Sequence, residues 1–524
     1  MAPNQRSFID SGCPLGQPLG DWLRRLIKTI CLAGFFAGIA FENQRLCVWA
    51  DEPSQETFFD RVTAPLVRQD LRVSSAASCS ATACHGGPRA GTAAPAAERG
   101  SEYPLWLERD PHARSWGTLC QPQSTAILQR LNIMRADQIV DKTGFDNCLA
   151  CHNTTREFNE LRSAQPNHEG VGCASCHGPS EKWEARHFQA GWNAASAIGD
   201  GFVPTHDLLV RARMCAACHV GDRDRDMNHD LIAAGHPPLL YEFTTYHLRQ
   251  PKHWRDEAAS DTGRYEASLW LAGQLANLDA SLVLLETRAG QRLPVSQWPE
   301  FSQLDCSACH QPVQSREPAE QRLPKLAATA ALSEWNTFGL WQLLEQRHSE
   351  GKQSVPDQQL SQAIEALRTI MQKRGSTSQQ SQHAARTARL ALDAWITSAE
   401  GVAEIEGFTA ERLKALAVSA ASAPDALHNW DRATQFYLAA VAARRAWATE
   451  SLAGTAQNPQ QRAEEMRRLI QFRTGINSPP PALRSFSESS RRELNVAISQ
   501  LLHVMQNPAL PTPESVPGLT ADKP

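Results

Sequence analysis

The 524-residue chain lacks an excess of charge of either sign and lacks a run of apolar residues long enough to cross a membrane comfortably. Its 52 Lys and Arg residues stand against 56 Asp and Glu residues, and its mean hydropathy is −0.41. This balance argues against nucleic acid as a partner. The N-terminal apolar stretch TICLAGFFAGIAF covers only residues 29–41. We therefore expect a protein that binds no nucleic acid and is not embedded in a membrane.

The N-terminus has the layout of an export signal. Arg24, Arg25 and Lys28 precede the apolar stretch, and the sequence Val-Trp-Ala ends at Ala50, just before Asp51. A basic segment, a short apolar segment and a small residue at the end are typical of a secretory signal peptide. We predict a signal peptide at residues 1–50 and a periplasmic location. The alternative is a retained membrane anchor.

Export limits what the cysteines can do, because thiols outside the cytoplasm are oxidised or held in covalent links. Four Cys-x-x-Cys-His motifs follow the signal: CLACH, CASCH, CAACH and CSACH. Two cysteines at this spacing can add to the two vinyl groups of one porphyrin, and the next histidine then lies under the iron. The predicted covalent positions are Cys148 and Cys151, Cys173 and Cys176, Cys215 and Cys218, and Cys306 and Cys309; the predicted iron ligands are His152, His177, His219 and His310.

Zinc and disulfides are the alternatives for these cysteines. Pairs of Cys-x-x-Cys can form four-thiolate zinc sites, but such sites need no histidine directly after the second cysteine. Repeated Cys-x-x-Cys disulfides would be redox-active and hard to keep as structural bridges. The histidine that follows every motif favours haem c.

A fifth candidate site has a longer loop. In SCSATACHGG, four residues separate Cys79 from Cys84, and His85 follows. The small residues of this loop leave room for both sulfurs to reach one porphyrin. We predict that Cys79, Cys84 and His85 bind a further haem, which brings the expected cofactors to about five covalent haem c groups with their iron. The alternative is a disulfide between Cys79 and Cys84.

An iron with two axial imidazoles also needs a second histidine. Four histidines lie close to the motifs and are the better candidates: His112, His187, His229 and His236. Weaker candidates in the same half of the chain are His168, His206, His247 and His253. The later histidines, His348, His383, His428 and His503, are expected to be structural or exposed.

The succession CSATACH, DPHARSW, CLACH, GVGCASCHGPSEKW, CAACHVGD and NHDLIAAGHP, over about residues 75–250, resembles the cytochrome c-554 family of multihaem cytochromes. The resemblance implies that His112 is the second ligand of the iron of His219 and His187 that of His85. It implies His236, or else His229, opposite His177. It also implies an iron at His152 that is open on one side. The CSACH motif lies outside the four-haem pattern, so the resemblance assigns no second ligand to His310.

The predicted fold is mainly α with much irregular chain. We expect a multihaem cytochrome c domain at 51–322, an α-helical bundle of four to six helices at 323–506 and a disordered proline-rich tail at 507–524. Apolar residues at helical spacing support the bundle, behind a predicted N-cap at Thr409. One such set is Leu413, Leu416, Ala417 and Ala420, and another is Trp430, Ala433, Tyr437 and Val441.

The function we expect is electron transfer to or from a redox partner protein or a membrane quinone-linked complex. This function needs no catalytic residue beyond the haem ligands. The alternative is a multihaem oxidoreductase that acts on a small nitrogen or sulfur compound at an open haem. A Cys-x-x-Cys-Lys motif, typical of pentahaem nitrite reductase, is absent from the sequence. A third hypothesis makes the C-terminal helices a docking module for a membrane complex.

Overall fold

We analysed a computed structural model of the full chain. It describes residues 56–67, 70–87, 100–154, 169–254, 256, 262–290, 298–306, 309–310, 332–373, 375–422, 430–451, 464, 467–468, 492–498 and 500. Residues Gln55–Pro524 cluster into one compact unit. The predicted signal peptide, the predicted domain boundary at 322–323 and the predicted tail lie outside the described residues.

The motif-bearing part of the chain consists of short helices joined by irregular segments. One two-residue hairpin, β1 (Met134–Arg135) with β2 (Gln138–Ile139), interrupts them. The helices are α1 (Phe58–Thr63), α2 (Glu102–Arg109), α3 (Ser115–Leu119), α4 (Pro122–Arg130), α5 (Lys142–His152), α6 (Cys173–His177), α7 (Leu208–His219), α8 (His229–Ala233) and α9 (Phe243–Arg249).

Longer helices make up the rest of the described chain. They are α10 (Thr262–Ala289), α11 (Phe338–Ser349), α12 (Val355–Gln372), α13 (Ser378–Thr397), α14 (Ala399–Glu406), α15 (Ala410–Ser422) and α16 (Trp430–Ser451). The side chain of Thr409 accepts a hydrogen bond from the Arg412 amide at 3.3 Å, as an N-cap does. The mainly α expectation is confirmed.

Helix α10 is a long regular helix in the part of the chain before residue 323, where the sequence predicted much irregular chain. It packs against α7, α13 and α16, so neighbours surround it on several sides. A helix in that position is apolar around most of its circumference, and Leu269, Leu275 and Leu282 are all buried. The segment Gly263–Ala289 is long and apolar enough for a membrane span, yet 89% of its most apolar window is buried inside the fold. Such burial is typical of a helix at the centre of a folded core.

Buried charges and caps fix the helices around α10. Ser354 and Asp357 form a capping box at the start of α12. The Asp357 carboxylate, which is fully buried, also accepts hydrogen bonds from Arg347 Nε at 3.0 Å and from Trp395 Nε1 at 2.7 Å. Asp357 therefore ties α11, α12 and α13 together.

Replacing Asp357 with asparagine is expected to destabilise the fold by about 2–3 kcal/mol at neutral pH, because Arg347 then lacks its buried counter-charge. Burial alone would raise the pKa of Asp357, but hydrogen bonds from Arg347, Ser354 and Trp395 outweigh it and lower the pKa. The wild-type contribution is therefore present above the unfolded pKa of about 3.9 and is lost as the pH falls towards the lower folded value.

Urea unfolding at pH 7 and pH 3 measures this contribution, and the difference in unfolding free energy between wild type and Asp357→Asn should shrink at pH 3. Glu365→Gln, at an exposed position on α12, is the matched control. An equal loss at both pH values would contradict the prediction.

Candidate functional site

Three of the strict motifs stand at the C-terminal ends of helices. Helices α5, α6 and α7 each end on the motif histidine: His152, His177 and His219. In a helix, residues three and four apart lie on the same face. The helical motif therefore turns its first cysteine, its second cysteine and its histidine towards one side, as attachment to a single porphyrin requires.

The stretched motif folds as two turns. Cys79 ends a 3₁₀ turn, and the amides of Cys84 and Gly86 both donate to the carbonyl oxygen of Ala81. A Cβ at position 86 would lie 1.8 Å from the Ser80 carbonyl oxygen, so only glycine fits this close approach. The two additional residues are thus taken up within the loop, and His85 continues from it towards α2.

Each of the five motif histidines faces a second histidine. An imidazole nitrogen lies about 2.0 Å from a bound metal and about 1.1 Å from its own ring centre, so two axial imidazoles have ring centres about 6.2 Å apart. The observed separations, numbered here as sites 1 to 5 in the order of the motifs, are 6.0 Å for His85 and His187, 6.5 Å for His152 and His236, 6.3 Å for His177 and His253, 6.1 Å for His219 and His112, and 6.3 Å for His310 and His229. These spacings suit an iron between the two rings at every site.

Hydrogen bonds at Nδ1 orient several of these rings. A metal-binding imidazole usually donates from its other nitrogen to a carboxylate or a carbonyl, and that bond fixes the ring. Nδ1 is bonded in this way in five of the ten rings and leaves Nε2 for a metal. The partners are Glu102 for His85, Asp110 for His112, the Ser115 carbonyl for His152, the Glu184 carbonyl for His187 and the Pro237 carbonyl for His236.

Burial keeps several of the facing imidazoles neutral. Burial, together with the charge of the facing histidine, lowers the pKa of His177 and that of His219 to about 4. A neutral imidazole is the form that binds a metal. His112 differs, because its hydrogen bond to the buried Asp110 outweighs burial and raises its pKa.

Contacts between cysteines group the sites. A hydrogen bond from the Cys173 thiol lowers the pKa of Cys79, and one from the Cys151 thiol lowers the pKa of Cys218. Site 1 therefore adjoins site 3, and site 2 adjoins site 4. Cys176 also lies within electrostatic range of Cys215 and Cys218, which connects site 3 to site 4. Among the described residues, no three His, Cys, Asp or Glu side chains converge as a zinc site requires.

The structure brings together His112 with His219 and His187 with His85, the pairs that the resemblance implies. It places His236 differently: this ring faces His152 and not His177. Arg130, the last residue of α4, donates from Nη1 to the carbonyl of Ala234 at 2.6 Å. This bond holds the segment that carries His236 against α4. That helix follows α3, whose Ser115 contacts His152.

His152 therefore has a facing imidazole, whereas the resemblance implies an iron at His152 that is open on one side. His253, a weaker candidate in the sequence, takes the place opposite His177. Its neighbour Trp254 is fixed by a 2.8 Å hydrogen bond to Asp256 and by the guanidinium of Arg211 over its ring. Of the other candidates, His247 bonds to Arg211, His206 is exposed, and His168 lies outside the described residues.

One comparison with known proteins gives a match, and it covers part of the chain. Residues 79–178 match the family of cytochrome c554 and c-prime. No curated protein and no solved structure matches the chain. The cytochrome c554 match includes the motifs of sites 1, 2 and 3 and supports a c-type cytochrome with covalently bound haem c and iron. The motifs of sites 4 and 5 lie beyond the matched residues.

Proposed function

We propose that the chain is an exported multihaem c-type cytochrome that passes electrons through five covalently bound haem c groups to or from a redox partner. This proposal rests on one observation: each of the five motif histidines faces a second imidazole, and the centres of the two rings are 6.0–6.5 Å apart. The match to cytochrome c554 and c-prime supports it at sites 1 to 3.

The residues at each site would bind the haem and hold its two axial rings in place. Haem iron held between two imidazoles supplies a one-electron couple and offers no free coordination position. Hydrogen bonds at Nδ1 orient the rings of His85, His112 and His187, so little reorganisation is needed when the charge on the site changes. Such closed, rigid sites favour electron transfer over chemistry on a substrate.

The grouping of the cysteines supports a continuous path. Because each cysteine is attached to the edge of its own porphyrin, contact between Cys79 and Cys173 brings the edges of sites 1 and 3 together. Contact between Cys151 and Cys218 does the same for sites 2 and 4. We infer the order 1, 3, 4, 2 for the first four sites, which differs from their order along the chain.

The alternative function, oxidation or reduction of a small nitrogen or sulfur compound, needs an open iron. No motif histidine in the described residues lacks a facing imidazole, so no observation favours that enzyme. The partner we propose is a redox protein or a membrane quinone-linked complex.

Haem content and spin state test the proposal. We expect the purified chain to contain five haems by pyridine haemochrome and only low-spin ferric signals by low-temperature electron paramagnetic resonance. N-terminal sequencing of the same sample should begin at Asp51 if the signal is cleaved as proposed. A high-spin signal that responds to nitric oxide or hydroxylamine would instead favour the enzyme, and a chain without haem would refute the proposal.

A further inference from the structure

Beside the last motif lies a large apolar cavity. The space open to the centre of a water-sized sphere is about 120 Å³, within about 930 Å³ of empty space that includes open solvent, and Cys306 is part of the cavity wall. Four parts of the chain supply the apolar lining: Val220 and Leu240 from the motif-bearing segment, Leu285 from α10, Leu332 and Trp335 from the residues that lead into α11, and Leu367 from α12. Polar residues, among them Arg288 and Asp431, complete the wall. A flat apolar macrocycle attached to Cys306 would be covered on several sides here.

The local backbone places His229 over the same region. The amide of His229 donates to Glu300 Oε1 at 2.8 Å, and Glu300 also caps the 3₁₀ turn Phe301–Gln303 that leads to the motif. The amide of Ser333 donates to the Gln303 carbonyl, so the residues that lead into α11 are hydrogen-bonded to the same turn. These bonds hold the wall contributed by Leu332 against the motif of site 5.

We propose that the fifth haem, attached to Cys306 and Cys309 with His310 and His229 as its axial ligands, extends from between these two rings into the cavity beside Cys306, and that the helical region from residue 332 forms part of its pocket. This inference rests on the proposed multihaem function. It gives the C-terminal helices a role in cofactor binding in place of the docking role considered from sequence.

The position of site 5 relative to the others also follows. His229 at site 5 and His236 at site 2 belong to one segment, of which α8 forms the first part. Ile232, between these two histidines, lines the cavity. Val220, which follows His219 of site 4, lines the cavity as well, so site 5 adjoins both site 4 and site 2.

The first experiment removes the second axial ligand in the full-length chain. His229→Ala keeps both thioether bonds, so haem content should stay at five per chain. One low-spin signal should be replaced by a high-spin signal, and added imidazole should restore the low-spin form. His206→Ala, at an exposed histidine of the same segment of chain, is the control and should leave the spectrum unchanged. Five haems with an unchanged low-spin spectrum in His229→Ala would overturn the proposal and leave the multihaem function intact.

A second experiment tests the contribution of the helical region. Leu332→Glu introduces a carboxylate into the wall, and a nearby negative charge stabilises the ferric form. We expect one haem to change: at the potential where it is half-reduced in the wild-type chain, its ratio of oxidised to reduced form should rise about tenfold. The other four haems should be unchanged. Val402→Glu introduces the same charge at an exposed position on α14 and should change none of them. Equal titrations of the two variants would overturn the location of the haem. A wild-type chain with only four haems would also refute this proposal, whereas a chain with none would refute the proposed function itself.

Discussion

Asp279→Asn is expected to lower the free energy of unfolding by about 3 kcal/mol, because it takes a shared negative charge away from two buried guanidinium groups. Asp279, on α10, is 1% exposed. Its carboxylate accepts from Arg213 Nε at 2.6 Å and from Arg389 Nε at 3.1 Å. Asparagine keeps the size of the side chain and one acceptor, so the expected loss is mainly electrostatic.

Urea unfolding followed by far-ultraviolet circular dichroism measures this loss, provided that the variant retains its full haem content. The control is Asp146→Asn, which breaks the exposed pair of Asp146 and Lys142 on α5. An exposed pair of this kind contributes less than about 1 kcal/mol. Equal shifts in the urea midpoint for the two variants would contradict the prediction.

The same network shows how the motif-bearing segment is joined to the long helices. Arg213, two residues before the motif of site 4, bonds to Asp222 in its own segment and to Asp279 on α10. Arg389 on α13 extends the network to Thr57 at the start of α1. Helix α7 is thus anchored at its buried face, which fixes the position of Cys215 and His219 at its end.

The attachment sites and the first ligands are predictions from local chemistry alone, because the motif itself specifies which side chains would bind the haem. The N-cap at Thr409 and the buried faces of α15 and α16 were also readable, since helical spacing of apolar residues determines which face is buried. Leu413, Leu416, Trp430 and Ala433 are all buried.

The second ligands were harder to predict, because tertiary packing and not spacing selects them. His253 lies 76 positions after His177, and only the packing of Trp254 against Arg211 places it at site 3. His236 is near the fourth motif in sequence but is held over site 2 by a bond from Arg130. The resemblance therefore paired His236 with a different motif histidine from the one it faces, and nearness along the chain ranked His253 only as a weaker candidate. Helix α10 was missed for a related reason, since a helix with neighbours on several sides lacks the one-sided pattern that identifies an amphipathic helix.

Asp110→Asn is expected to raise the reduction potential of one haem, the one at site 4, by about 60–120 mV. The Asp110 carboxylate is 3% exposed and lies 2.8 Å from Nδ1 of His112, which we propose as the second axial ligand of that site. A carboxylate at this nitrogen increases the basicity of the imidazole and favours the ferric state. Loss of such a partner typically changes metal binding by about 10- to 100-fold, and a tenfold change corresponds to about 59 mV for a one-electron couple.

Asparagine can still accept the 3.0 Å hydrogen bond from the His112 amide that Asp110 accepts now, so the local turn should survive. Glu184→Gln is the matched control: it removes a carboxylate near His187, whose Nδ1 bonds to the backbone carbonyl of residue 184 and not to its side chain. Spectroelectrochemical titration should therefore show a large shift of one haem in Asp110→Asn and a much smaller one in Glu184→Gln. Shifts of similar size would mean that the overall negative charge, and not the bond to the axial ring, sets the potential of site 4.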